Sequence, residues 1–124
     1  MGAFRVTIAI GDPTATRFEP VEALVDTGAT YTWVPRSMLF ALGHEPQEEW
    51  DFVLADGRMV QYGVKWMVVR LEERAYPTLV VFGDNGTEAL LGVVTLEEFR
   101  LGVDAVNQRL IPMPALLKSW AGSS

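Results

Sequence analysis

Apolar and polar positions alternate along Phe4-Arg5-Val6-Thr7-Ile8-Ala9-Ile10, the period of a strand with one buried face, until Gly11-Asp12-Pro13 breaks the pattern as a turn cluster. A second extended stretch covers residues 21–25, and Pro20 ahead of it turns Glu19 away from helical backbone. Residues 30–34 are rich in β-branched and aromatic side chains, and Pro35 then suits the first turn of a short helix over 35–42, closed by Gly43. Residues 50–54 and 59–69 form the arms of a hairpin around Ala55-Asp56-Gly57-Arg58, where Asp-Gly supplies the positive φ of a tight turn. Leu79-Val80-Val81-Phe82 reads as a buried strand, Gly83-Asp84-Asn85-Gly86 as a turn, and Ala89-Leu90-Leu91 as a short apolar strand. Thr95-Leu96-Glu97-Glu98 has the spacing of a capping box, which predicts a helix starting at Thr95 and ending at Gly102. Arg109-Leu110-Ile111 is the last predicted strand; one or two helical turns follow over 114–120, and residues 121–124 are expected to fray. Many short strands with two or three small helices, no repeat and no linker predict a single all-β domain over 1–124, with its core in 3–112. The architecture expected is a closed or sandwiched barrel.

Composition narrows the chemistry. The 124 residues suit one domain and leave no room for two. Ten basic against 16 acidic side chains give 10 − 16 = −6, a balance that repels phosphate backbones, and the basic residues form no patch, so no nucleic-acid partner is expected. With no cysteine, neither a metal-thiolate site nor a cysteine nucleophile is possible; with one histidine, His44, neither is a polyhistidine metal centre. The N-terminus lacks a basic region followed by an apolar block, and no apolar run is long enough to span a bilayer. A soluble, cytoplasmic protein without a membrane partner, metal or cofactor is expected.

The informative stretch is Ala23-Leu24-Val25-Asp26-Thr27-Gly28-Ala29, an apolar strand that delivers one carboxylate into a glycine-containing turn. Alone, Asp26 is a turn residue bonding nearby amides, and Asp56-Gly57 and Asp84-Asn85-Gly86 are ordinary hairpin turns. Context changes the weight of the first. Downstream stand the Asp56-Gly57 hairpin, then Ala89-Leu90-Leu91-Gly92 and the capped helix. This order, together with Leu54-Ala55-Asp56-Gly57-Arg58 and the ending Leu101-Gly102-Val103-Asp104 through Arg109-Leu110-Ile111-Pro112, resembles the retropepsin-like aspartic proteases over roughly residues 3–112. The chain is most similar to their small single-lobe cellular and prokaryotic members. Retroviral members usually carry an acidic residue after Asp-Thr-Gly-Ala and an arginine after the later apolar-apolar-Gly; here those positions are Thr30 and Val93. Both partners of that pair are missing together, so no unpaired charge is left behind.

The resemblance implies a closed all-β barrel with short helices, and an aspartic endopeptidase. Such chemistry needs two carboxylates sharing one proton: the ionised one takes a proton from the attacking water, and the protonated one donates to the scissile carbonyl. One motif per chain then implies a two-fold homodimer with two copies of Asp26 facing each other. Two carboxylates held that close titrate in two macroscopic steps that belong to the pair, and activity falls as pH rises past the upper one. By the same resemblance, Thr27 bonds across the dimer, Gly28 offers backbone amides around the carboxylate, and Ala29 lines the cleft. Asp56, Gly57 and Arg58 form the flap tip that closes over an extended peptide, and Leu90, Leu91 and Gly92 pack behind the catalytic loop as structural support.

Other features read more plainly. His44, after a helix cap and before Glu45-Pro46, is expected as an exposed loop residue, and no Gly-X-Ser-X-Gly elbow accompanies it. The acidic run 45–51 lacks the alternating ligands and central glycine of a calcium loop and reads as a solvated face. Trp33, Trp50, Trp66 and Trp120 are expected in the core or an interface, with Trp50 near the base of the flap. Two other functions fit less well. One is a non-catalytic dimerisation or peptide-binding module on the same barrel. The other is an aspartyl-phosphate enzyme, which needs a second carboxylate or a lysine close behind the aspartate, and Thr27-Gly28-Ala29-Thr30 offers neither.

Overall fold

Strands of alternating burial wrap into a closed barrel in this structure, a computed structural model that describes residues 3–114. The helical turns expected over 114–120 (apart from Pro114), the frayed end 121–124 and Trp120 lie outside the described residues. In chain order the elements are β1 (Arg5–Gly11), β2 (Phe18–Val25), β3 (Thr32–Pro35), α1 (Arg36–Ala41), β4 (Glu48–Val53), β5 (Met59–Leu71) and β6 (Arg74–Gly83). There follow β7 (Ala89–Leu91), α2 (Val93–Glu98), β8 (Leu101–Asp104) and β9 (Arg109–Pro112). Six strands run β1-β2-β7-β3-β6-β5, and β5 returns to β1 through Ala9↔Arg70 and Ile10↔Val69, which closes the ring. Closure removes the free edges that an open sheet would expose.

β5 is long because it does two jobs. Its first half, residues 59–64, pairs with β4 as an arm of a projecting hairpin; its second half, 64–71, pairs with β6 as barrel wall. Inward positions of the barrel carry Ile8, Ile10, Val25, Val34, Val69, Val80 and Leu91, and Leu39 of α1 with Leu96 and Phe99 at α2 plug the ends. Each such side chain contributes roughly 1.5–3 kcal/mol by leaving water. A second apolar cluster, around Val64, Leu79 and Val81, joins Tyr31 and Trp33 to Trp50, Phe52 and Tyr62. The β8–β9 hairpin forms a separate two-stranded sheet.

Several local expectations change. β2 begins at Phe18 and contains Pro20, which is tolerated because β7 flanks only Ala23–Val25 and the earlier half of β2 has β1 on one side alone. β6 begins at Arg74 rather than Leu79, and its hairpin with β5 turns through Glu72 and Glu73 at φ 54° and 66°, left-handed backbone without glycine. The helix expected from Thr95 starts at Val93, with Gly92 as its N-cap and no side-chain cap bond. Thr95 instead points inward, fully buried, and Gly102 belongs to β8: the helix stops at Glu98, and Arg100 takes the left-handed position at φ 55°.

His44 is not an exposed loop residue. It is 1% exposed, and its Nε2 lies 2.8 Å from the Gly11 carbonyl oxygen, bridging the end of β1 to the segment after α1. A buried backbone carbonyl at a strand end needs a donor, and the imidazole supplies one. Of the described tryptophans, Trp33 and Trp50 pack in the second cluster, whereas Trp66 is largely exposed. The run 45–51 is mostly solvent-facing, as its charges require, with Trp50 turned inward.

Candidate active site

The parallel pairing of β2 with β7 fixes where Asp26 leaves the barrel. Val25 sits beside Leu91, and one residue later the Asp26 N–H donates to the Leu91 carbonyl at 3.1 Å. There β7 ends, because Gly92 opens α2. A Cβ on Gly92 would strike the Tyr31 carbonyl and lie 2.9 Å from that of Thr30, so only glycine lets the two backbones approach this closely. The first amides of α2 are spent on the loop: Val93 N–H donates to Ala29 O and Val94 N–H to Thr30 O, both at 2.9 Å. Four backbone groups, two amides at the start of α2 and two carbonyls of the loop, thus satisfy one another.

Within the loop, the Gly28 N–H donates to Asp26 Oδ1 at 2.9 Å and the Ala29 N–H to the Asp26 carbonyl at 3.0 Å, an Asx turn that aims the carboxylate. Asp26 and Ala29 are half-buried; Thr27, Gly28 and Thr30 are exposed. The carboxylate borders a cavity of about 280 Å³ lined by Thr27, Phe4, Val25, Val103 and Ala105, among others. Among the described residues, no second carboxylate lines it.

Three threonines brace the loop from inside, and sequence reasoning missed them. Thr32 Oγ1 accepts the Gly92 N–H at 3.1 Å and shares a hydrogen bond of 2.7 Å with Thr95 Oγ1, which meets Thr78 Oγ1 at 2.9 Å. All three are completely buried. Neither short-range spacing nor period links residues 32, 78 and 95; the barrel does.

The hairpin tip is built differently. Gly57 turns at φ +88° and donates to the Leu54 carbonyl at 2.8 Å, and Leu54 N–H donates to Arg58 O at 2.8 Å. Arg58 reaches back to Asp56 through Nε at 2.7 Å and through its backbone N–H at 3.0 Å, and these bonds hold the Asp56 carboxyl below the usual carboxylate range. Asp56, Gly57 and Arg58 are exposed, and among the described residues no hydrogen bond joins them to 26–29. The hairpin's base, in contrast, is docked. Tyr31, two residues past Ala29, meets Trp50 edge-on at 5.8 Å and Phe52 at 6.5 Å, and Trp33 meets Tyr62 at 4.9 Å. The alternation of rings at 31 and 33, and at 50 and 52, was the available sign of this block. Tyr62 also donates to Asp84 Oδ2 at 2.9 Å, and that bond raises its hydroxyl above the usual phenol range. Of the predicted support residues, Leu91 and Gly92 are buried behind the loop and Leu90 is half-buried.

A family model described as "gag-polyprotein putative aspartyl protease" matches residues 16–98, which contain the Asp26 loop, the hairpin and the strand–helix junction at Gly92. The chain belongs to the retropepsin-like aspartic protease family. Retropepsin-like folds recur among solved structures. The simian foamy virus (mac) protease in solution superposes with a TM-score of 0.55 at 20% identity, over 77% of this chain and 94% of that one. The EIAV protease complexed with the inhibitor HBY-793 gives 0.57 at 17% identity, over 79% and 88%. At such identities the likeness shows the fold, a barrel of strands with few short helices. No curated protein sequence matches the chain. Among the described residues no helix is long and apolar enough to cross a membrane, and no three metal-ligating side chains come together.

Proposed function

We propose that this retropepsin-like protein is an aspartic endopeptidase that works as a homodimer, with one Asp26 from each protomer. The observation that carries this is a half-buried carboxylate, held by the Gly28 amide, at a cavity that no second carboxylate lines among the described residues. One carboxyl group cannot act as base and acid in the same step, so the missing one comes from a symmetric copy. The ionised Asp26 takes a proton from water as its oxygen attacks the peptide carbonyl. The protonated Asp26 gives its proton to the carbonyl oxygen. The tetrahedral intermediate then breaks its C–N bond as a proton passes to the leaving amine.

Thr27, exposed beside Asp26, is assigned a hydroxyl contact to the partner loop, Gly28 the amide that orients the carboxylate, and Ala29 the cleft wall. Asp56, Gly57 and Arg58 form the flap that closes over an extended peptide and excludes water. Leu90, Leu91 and Gly92 hold the loop from behind. Residues 1–124 act as one domain, and we place it in the cytoplasm, whose reducing conditions cost a chain without cysteine nothing. No cofactor or metal enters the scheme.

The test is a peptide-library digest by the wild-type protein and Asp26→Asn, at mildly acidic and neutral pH, alongside sedimentation. Cleavage by a dimer, lost on substitution with the dimer intact, is the expected result. Cleavage that survives the substitution overturns the mechanism. Peptide binding without cleavage by either protein would mark a recognition module.

A further inference from the structure

Apart from Asp26 and Thr27, the cavity beside the catalytic loop is lined by Ala3, Phe4, Val25, Val103 and Ala105, all apolar. Next to Ala105 in the chain, on the turn between β8 and β9, stands Val106, 91% exposed. A single exposed valine is ordinary on a protein surface. This one is held out by a constructed turn. The Asp104 carboxylate accepts the Asn107 backbone N–H at 3.1 Å and the Asn107 side-chain amide at 2.8 Å, Arg109 Nε lies 3.4 Å from it, and Gln108 takes φ +53°. Three interactions on one carboxylate order the turn, so Val106 is displayed and not merely frayed.

We propose that Val106 of a second copy of this chain enters the cavity beside Asp26, so that each protomer supplies an apolar wall to the other's active site. This rests on the shared Asp26 pair proposed above and adds to it the surface through which the copies meet. If two Asp26 carboxylates share a proton, the two-fold axis passes beside Asp26 and therefore beside the mouth of the cavity that Asp26 lines. Val106, one residue past Ala105 of that lining, is then brought toward the partner's equivalent surface across the axis. Two-fold contacts are reciprocal: one Val106 entering the partner's cavity requires the partner's Val106 to enter this one. At about 280 Å³ the cavity has room for a valine side chain, and its lining of Ala3, Phe4 and Val103 offers that side chain an apolar bed. Burial of Val106 also excludes water from one flank of the carboxylate pair.

Because Val106 makes little use of its own protomer, Val106→Asp should keep the wild-type fold, read as an unchanged far-ultraviolet circular dichroism spectrum, while its melting temperature falls only as far as the lost association requires. It should dimerise roughly a hundredfold more weakly, since the substitution acts twice per interface, and cleavage should return as protein concentration is raised. The absence of cysteine gives a second readout. Chains carrying Val106→Cys, mixed under oxidising conditions with differently tagged chains carrying Ala3→Cys, should form mixed disulfides across the dimer. A Val106→Asp protein that dimerises and cleaves like wild type overturns the proposal, as does a dimeric mixture without mixed disulfide. Either result leaves the shared Asp26 pair standing, whereas a wild-type protein that cleaves as a monomer removes that pair as well.

Discussion

Two loops frame the site, and they are held in opposite ways. The Asp26 loop is tied to residues 91–94 by three backbone hydrogen bonds, and Thr32, one of three buried threonines, holds the Gly92 N–H of that segment. The Asp56–Arg58 tip is tied mainly to itself, through its own turn and one exposed ion pair. A reaction that needs a carboxylate fixed to a fraction of an ångström gains from the first arrangement. A lid that must admit a peptide gains from the second. The aromatic block of Tyr31, Trp33, Trp50, Phe52 and Tyr62 marks the border between them: it packs the base of the hairpin against the residues that follow the Asp26 loop and leaves the part beyond Phe52 outside the block.

The contrast breaks most severely at Gly92. Gly92→Ala drives a Cβ into the Tyr31 backbone carbonyl, and backbone has nowhere to go without parting β7 from the Asp26 loop. We expect a loss of about 3 kcal/mol or more in chemical denaturation. A smaller effect comes from Thr95→Val, which keeps the shape but leaves Thr32 and Thr78 without their shared partner in the interior. That change should cost about 1–3 kcal/mol, with Thr95→Ser recovering most of it.

These two positions also show how far the sequence could be read. Alternation exposed β1, the Asp-Gly turn exposed the hairpin arm that became β5, and a short apolar run exposed β7; Gly43 and Gly57 announced chain reversals because they occupy left-handed backbone, at φ 99° and 88°. The strand-end placement of Asp26 and the hairpin around Asp56-Gly57 followed from such local signals. Thr95 misled, since Thr-x-x-Glu is a capping signature yet its hydroxyl partners lie 63 and 17 residues away, inside the barrel. His44 misled for the same reason: turn-formers and charges surround it in the chain, whereas its hydrogen-bond partner is Gly11, 33 residues earlier. The Glu72–Glu73 turn gave no signal because two adjoining strands impose left-handed backbone on residues that do not prefer it.

The flap side should respond weakly and locally. At Gly57 a Cβ meets nothing within 4 Å, so Gly57→Ala costs only the strain of a positive φ, about 1 kcal/mol. The tip can relieve that strain by fraying alone. Denaturation of the barrel should therefore move by less than about 0.5 kcal/mol, while KM for a peptide rises several-fold. The smallest effect is a pH dependence. Bonds from Arg58 depress the Asp56 carboxyl in the folded tip, so their stabilisation is fully present above the ordinary aspartate range and disappears as pH falls through the depressed value. The Arg58 amide resonance should keep its folded shift through mildly acidic pH and change only below that range, and Arg58→Ala should move the change upward.

Whether two copies of Asp26 make one site is tested most directly by titrating wild-type chains with Asp26→Asn at fixed total concentration and allowing subunits to exchange. If each site needs both carboxylates, mixed dimers are dead, and an equal mixture retains about one quarter of the activity of pure wild type. Activity that instead falls in proportion to the wild-type fraction, to about one half, would show that each chain cleaves on its own and would contradict the shared site.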